Sequence, residues 1–107
     1  MGDGTSIHVR GKYGSPGVSI SRKGNAWIAK VNEAAAYYIE SGVPVTIAGL
    51  RGALNGMSAS FVGLTHGLAF RWQGSELRAE YVPLDGPATL MMVDPESLHH
   101  AVELMER

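Results

Sequence analysis

The first third of the chain alternates between apolar and polar residues in short runs separated by glycine and proline. A period of two places Ile7 and Val9 on one face of an extended strand, and the same pattern recurs before residue 31. Glycine and proline favour the backbone angles of tight turns. The predicted strands are 5–12, 18–21 and 26–30, and the predicted turns are 14–17 and 22–25.

Helix signals follow this region and recur near residue 94. Asn32 is a good N-cap residue, Gly42 a typical helix stop, and the apolar spacing between them predicts a first helix over 32–42. Asp94 and Pro95 supply an N-cap and a proline at the first helical position, which predicts a second helix. The apolar face of that helix contains Leu98, Ala101, Val102 and Met105.

Residues 46–68 fit two different structures. Their large apolar residues recur at spacings of four and three, which is typical of a helix-turn-helix, and with the residues around them they would form a winged helix-turn-helix over 31–82. Residues 62–72 also alternate with a period of two, which is typical of a strand. Three glycines inside the two helices would cost about 3 kcal/mol. We therefore predict a short helix or turn over 50–54 and a strand from 60 to 72.

The remaining pattern completes a mixed fold. Period-two alternation continues through Leu77, Ala79 and Tyr81, and the apolar run 88–93 predicts a strand that is buried on both faces. The sequence thus predicts an α+β fold with a mainly antiparallel sheet and two helices against one face. We expect a single domain over 5–107 and a flexible N-terminus over 1–4.

Composition limits the class of protein. The chain has 107 residues, 45% apolar and 18% charged, which suits one globular domain. It has no cysteine, which excludes disulfides, thiolate metal ligands and a cysteine nucleophile. Neither a secretory signal nor a membrane span is expected from the apolar runs. We expect a cytoplasmic protein that does not bind membranes.

Positive charge is concentrated near the start of the chain. Residues 1–30 hold five lysines and arginines and one acid, whereas residues 31–107 hold four arginines and nine acids. A basic segment beside an acidic remainder can bind nucleic acid or a second protein. The pI of 6.4 is low for a dedicated nucleic-acid-binding domain. The candidate residues for contact with nucleic acid or a partner are Arg10, Lys12, Arg22, Lys23, Trp27 and Lys30.

Known catalytic and ligand-binding patterns are not completed. His99 and His100 are adjacent, so on a helix they would point about 100° apart and would not share a metal ion. His66 could act as a general base, but a structural role in the apolar series is favoured. Residues 56–60 resemble a nucleophile elbow but lack its second glycine. We predict no metal, no cofactor and no catalytic residue.

These patterns favour a small regulatory or inhibitory protein. We expect it to be non-catalytic, to bind a protein partner and to self-associate as a homo-oligomer, because the stretch 43–70 is weakly charged and rich in glycine, alanine and serine. The alternative is a nucleic-acid-binding regulator. It would use the basic N-terminal hairpin, or the helix-turn-helix-like segment at 46–68.

Overall fold

A computed structural model describes residues 6–31, 42–64, 66–83 and 87–107. Of the described residues, 52% are in strands and 22% in helices. The predicted helix over 32–42 and the predicted flexible residues 1–4 lie outside the described residues. The described elements are β1 Ser6–Val9, β2 Gly11–Lys12, β3 Val18–Lys23, β4 Ala26–Val31, β5 Val43–Val45, α1 Ile47–Leu54, β6 Ala59–Val62, β7 His66–Gln73, β8 Glu76–Pro83, β9 Thr89–Val93 and α2 Pro95–Met105.

The strands form two antiparallel sheets. Sheet A has the order β1-β3-β4-β5, and sheet B has the order β2-β9-β8-β7-β6. The α+β prediction is confirmed, but the strands that we expected in one sheet are divided between two. The predicted strand 5–12 contributes to both, because β1 and β2 lie on either side of Arg10. Gly11 makes this passage possible, since a Cβ there would lie 2.3 Å from the Ser15 carbonyl oxygen.

One face of each sheet contributes to a shared hydrophobic core. The alternation of β1, β3 and β4 buries the apolar positions of sheet A, and that of β7, β8 and β9 buries those of sheet B. The helices α1 and α2 pack against each other, α2 also against β1 and α1 against β6. Fully buried side chains in this core are Val9, Val18, Ile20, Val43, Leu50, Leu77, Met91, Val93 and Leu98.

The short helix or turn that we predicted over 50–54 is a helix, α1, and it begins earlier than expected. The Thr46 hydroxyl caps α1 by accepting from the Gly49 N–H at 3.0 Å. The winged helix-turn-helix over 31–82 is wrong, because within the described part of residues 46–68 a single helix is followed by strands. Gly56, with a φ of 92°, turns the chain away from a helical path.

The predicted strand 60–72 is also wrong as a single element. It is a hairpin of β6 and β7, in which Phe61 lies opposite Leu68. The Gly63 N–H donates to the His66 carbonyl oxygen at 2.7 Å and closes the turn. The apolar alternation of the sequence continues through this turn, so the pattern does not indicate that the chain reverses direction there.

The strand predicted over 88–93 has one exposed face. Met91 and Val93 of β9 are buried, but Leu90 is 51% exposed. This strand lies between β2 and β8, where one side of the sheet faces the core and the other faces solvent. The helix predicted after Asp94 is confirmed as α2, with the Asp94 carboxylate accepting from the Glu96 N–H. None of the described helices is long and apolar enough to cross a membrane.

Candidate functional site

The six residues singled out in the sequence do not form one surface. Arg10 and Lys12 are held by acids from the later part of the chain. Arg10 lies 3.4 Å from Asp94, and Lys12 lies 3.4 Å from Glu76. The remaining residues of the set are Arg22, Lys23, Trp27 and Lys30, which belong to the β3–β4 hairpin.

Lys12 and Glu76 form a local cluster with Tyr13. The Tyr13 hydroxyl donates to the second Glu76 oxygen at 2.9 Å, and the Lys12 ammonium lies 5.1 Å from the Tyr13 ring centroid. Desolvation lowers the pKa of Lys12, but the hydrogen bond to Glu76 and its charge outweigh this effect and raise the pKa above its ordinary value. Lys12 is therefore part of an ion pair in the folded protein.

Trp27 lies opposite Arg22 in the hairpin and packs against the edge of the core. The Arg22 guanidinium lies 5.2 Å from the Trp27 ring centroid, within the range of a cation–π contact. Its Nε donates to the Gly24 carbonyl oxygen at 3.2 Å. Trp27 thus anchors the hairpin tip, and its ring is not an open stacking platform.

Three cations of the hairpin line a cleft of about 440 Å³, which we call the hairpin cleft. In the β3–β4 pairing Ser21 lies opposite Ile28, and Lys30, which lies opposite Ser19, is two pairs further from the tip. None of the three cations forms an ion pair with a residue that the structure describes. The hairpin cleft is lined by Ser21, Arg22, Lys23, Gly24, Ile28, Lys30 and Gly42.

A second surface lies on the side of sheet B that faces away from the core, and we call it the outer face. The strand register aligns its side chains in rows across adjacent strands. The first row contains Val62, Gly67 and Val82; the second contains Ser60, Ala69, Glu80 and Leu90; the third contains Arg71, Arg78, Met92 and Lys12.

The first two rows of the outer face are mainly apolar and open to solvent. Val62 is 78% exposed, Val82 45% and Leu90 51%. Leu64, in the adjoining β6–β7 turn, is fully exposed. A groove of about 210 Å³ lies over Ala69 and is also lined by Arg71, Arg78, Glu80 and Leu90. Small residues in the middle of the face therefore leave room for a side chain from another molecule.

The third row places two positive charges side by side. Arg71 lies directly opposite Arg78, and like charges at opposed positions in a sheet repel each other. The Arg78 guanidinium donates to the Gln73 side-chain oxygen, which leaves the charge uncompensated. Neither Arg71 nor Glu80 forms an ion pair with a described residue. The outer face thus carries both signs of charge with unmet pairing capacity.

Sequence reasoning missed this surface. The period-two pattern over 62–72 predicts Val62 and Leu64 on the same strand face as Leu68, and the apolar run 88–93 predicts that Leu90 is buried. The pair Gly63 and Gly67 was the signal that could have indicated a hairpin, since short hairpin loops favour glycine. A reversal at these glycines places Phe61, and not Val62, on the same face as Leu68.

The histidines lie apart from both surfaces or at their margins. His66 is half-buried and stacks on Tyr81 with ring centroids 5.3 Å apart. Burial raises the pKa of Tyr81. His99 lies 3.7 Å from Glu103, one turn along α2. Across the described ranges there is no group of three or more histidine, aspartate and glutamate side chains that could hold a metal ion.

Comparison with protein-family models, with curated proteins and with solved structures finds no match. Function is therefore inferred from the chemistry of the outer face and of the hairpin cleft. The outer face offers apolar area beside charges of both signs, as protein interfaces do. The hairpin cleft offers a concave group of cations.

Proposed function

We propose that this protein is a non-catalytic protein-binding module that self-associates through the outer face of sheet B. The supporting observation is the position of exposed aliphatic side chains beside an uncompensated pair of arginines. A regulatory or inhibitory role toward another protein stays a prediction from the sequence.

The apolar rows supply the driving force for association. Val82 and Leu90 are on adjacent strands, and the row of Val82 continues through Gly67 to Val62. Contiguous exposed apolar patches on folded proteins mark interaction sites, because burial of that area is favourable at about 25 cal/mol per Å². Gly67 and Ala69 have small side chains or none, so a second surface can approach the backbone of the sheet closely in the middle of the patch.

The charged residues favour a second copy of this chain as the occupant. In a two-fold symmetric interface residue i of one copy meets residue j of the other, and j meets i. Arg71 and Glu80 are opposite in sign and lie diagonally on adjacent strands. A second copy in the reverse orientation brings its Glu80 to the Arg71–Arg78 pair and relieves the repulsion in both copies at once.

Sedimentation velocity over a range of protein concentrations tests the proposal. We expect a reversible dimer with a dissociation constant of about 1–100 µM, as is common for small interfaces. Leu90→Glu and Val82→Glu each shift the protein to monomer, since they place a charge in the apolar rows. Met57→Glu is the matched control, because Met57 is 63% exposed but lies outside the outer face. A parent protein that stays monomeric at about 1 mM would overturn the proposal.

A charge exchange tests the pairing itself. Arg71→Glu and Glu80→Arg each weaken the dimer by about fivefold or more, because each leaves like charges facing across the two-fold axis. The double variant carries the same charges in exchanged positions and recovers the dimer. Weakening without recovery in the double variant would exclude the proposed Arg71–Glu80 contact.

A further inference from the structure

We infer that the hairpin cleft is a binding site for a small molecule that carries a phosphomonoester group. This site is independent of the outer face, which lies on sheet B, whereas the cleft lies on sheet A. No residue is shared between the two surfaces.

Charge is the first argument. Arg22, Lys23 and Lys30 line a single concavity, and none of them is neutralised by a described residue. Two other cations of the same basic segment, Arg10 and Lys12, do have acidic partners. Within the basic segment 1–30, the cations without a described acidic partner therefore all line the cleft. A dianionic phosphate matches several cations in one place better than a single carboxylate does.

The shape of the cleft is set by the backbone at Gly42 as well as by the hairpin. A Cβ at Gly42 would lie 2.0 Å from Ile28 Cγ2 and 3.2 Å from the Ala29 carbonyl oxygen. The absence of a side chain lets this backbone pack directly on β4, with the Lys30 Cγ 3.3 Å from the same position. Ser21, opposite Ile28, adds a hydroxyl that can donate to a phosphate oxygen. Ile28 offers apolar contact to the organic part of the ligand.

The arrangement favours a compact ligand over a nucleic-acid strand. Binding of a strand needs a track of cations with exposed aromatic rings between them. Arg10 and Lys12 are paired elsewhere, and the Trp27 ring is covered by Arg22. Because the Arg22 guanidinium lies against the Trp27 ring, what remains is one pocket with Lys23 and Lys30 as its cations. The size of this pocket suits a single phosphate group and a small attached moiety.

The test is a titration of the ¹⁵N-labelled full chain with phenyl phosphate and, separately, with inorganic phosphate, at low ionic strength. We expect amide shifts confined to residues 21–24, 28–30 and 42 in both titrations. Tighter binding of phenyl phosphate identifies an organic phosphomonoester, and equal affinities identify free phosphate, which would overturn the organic part of the inference. Lys23→Gln and Lys30→Gln each weaken binding by about tenfold, since each removes a charge-assisted hydrogen bond.

Arg10→Gln is the matched control, because it removes one positive charge outside the cleft and should leave the affinity unchanged. If Arg10→Gln weakens binding as much as Lys30→Gln, the protein attracts anions only through its general field and the inference is wrong. An oligothymidylate probe that binds more tightly than phenyl phosphate, and that depends on Arg10 and Lys12, would instead establish a nucleic-acid surface. Leu90→Glu should bind phenyl phosphate with the affinity of the parent protein, because Leu90 lies outside the cleft. The phosphate titration therefore gives the same result whether or not the protein dimerises through the outer face.

Discussion

Two glycines of α1 have different surroundings, although they are three residues apart. A Cβ at Gly49 would lie 2.6 Å from Phe61 Cε1, in the core, whereas a Cβ at Gly52 would meet no atom within 4 Å. We expect Gly52→Ala to raise the free energy of unfolding by about 0.5–1 kcal/mol, because alanine is the better helix former. Gly49→Ala should lower it by about 1–3 kcal/mol, because the Phe61 ring must move.

Urea unfolding of both variants measures this contrast, and each is the control for the other. Equal stabilisation by both substitutions would mean that the Phe61 ring yields without cost. Equal destabilisation would mean that the α1 backbone at Gly52 is less open than its surroundings indicate.

Tyr81 makes the stability depend on pH in alkaline solution. Burial raises the pKa of its hydroxyl in the folded protein, so the unfolded chain releases this proton first as the pH rises. The free energy of unfolding therefore falls once the pH passes the ordinary tyrosine pKa of about 10. Tyr81→Phe keeps the ring that stacks on His66 and should show a shallower decline.

Chemical denaturation at several values between about pH 8 and 11 checks the difference in slope. Lys12, whose raised pKa also favours the folded state below its folded-state pKa, is present in both proteins and cancels in the comparison. The parent protein, measured at the same pH values, is the reference for the slope. Parallel curves for the parent and Tyr81→Phe would contradict the expected effect of burial.

At the scale of elements, the start of α2 is joined to the junction of β1 and β2. The Asp94 N–H donates to the Arg10 carbonyl oxygen at 2.9 Å, and the Arg10 N–H donates to the Ser97 hydroxyl at 2.8 Å. The Asp94 carboxylate also accepts from the Glu96 N–H at 3.1 Å. One residue therefore caps the helix and holds it on the strand that crosses between the sheets.

We expect Asp94→Ala to lower the free energy of unfolding by about 1–2 kcal/mol through loss of the cap. Asp94→Asn retains a side-chain oxygen for the Glu96 N–H and should cost about 0.5 kcal/mol or less, because the Arg10 side chain is 74% exposed and its ion pair is weak. Thermal or urea unfolding gives both values. A loss for Asp94→Asn as large as that for Asp94→Ala would show that the ion pair, rather than the cap, holds this junction.

Local sequence signals predicted the start of α2 correctly, but they did not predict the β6–β7 hairpin. The cap at Asp94, followed by Pro95, determines the start of α2 from neighbouring residues alone, and sequence reasoning found it. The β6–β7 hairpin depends on the partner of Phe61, which is Leu68, a contact that alternation does not specify. A strand and a hairpin with an apolar turn have the same period, so that only Gly63 and Gly67 distinguish the two structures.

The candidate sites show the same limit. Sequence placed Arg22, Lys23 and Lys30 on one hairpin, and the cleft brings these three together. It could not show that Arg10 is paired with Asp94, because that contact joins positions 84 residues apart. Which cations have acidic partners depends on how the chain packs. Of the residues predicted as one surface, Arg10 and Lys12 have acidic partners, and the cations of the cleft have none among the described residues.

At the scale of the whole molecule, the two sheets share one core although no described strand of one sheet pairs with a strand of the other. β1 and β2 connect them through Arg10, and both helices pack on the same set of buried side chains. Cooperative unfolding is expected when separate elements bury their apolar area against each other. Trp27 belongs to sheet A and Trp72 to sheet B, so that each sheet carries its own fluorescent reporter.

We expect single-tryptophan variants to unfold in one transition. In Trp72→Phe the fluorescence of Trp27 reports sheet A, and in Trp27→Phe the fluorescence of Trp72 reports sheet B. Within each variant the urea midpoint from fluorescence should coincide with the midpoint from far-ultraviolet circular dichroism, because neither sheet keeps its core without the other. The Trp72 indole N–H donates to the Ala53 carbonyl oxygen at 2.6 Å. Because Trp72→Phe removes this hydrogen bond, its free energy of unfolding should be about 1 kcal/mol lower than that of Trp27→Phe. If the Trp27 transition precedes the loss of circular dichroism, sheet A opens first and the shared core does not couple the two sheets.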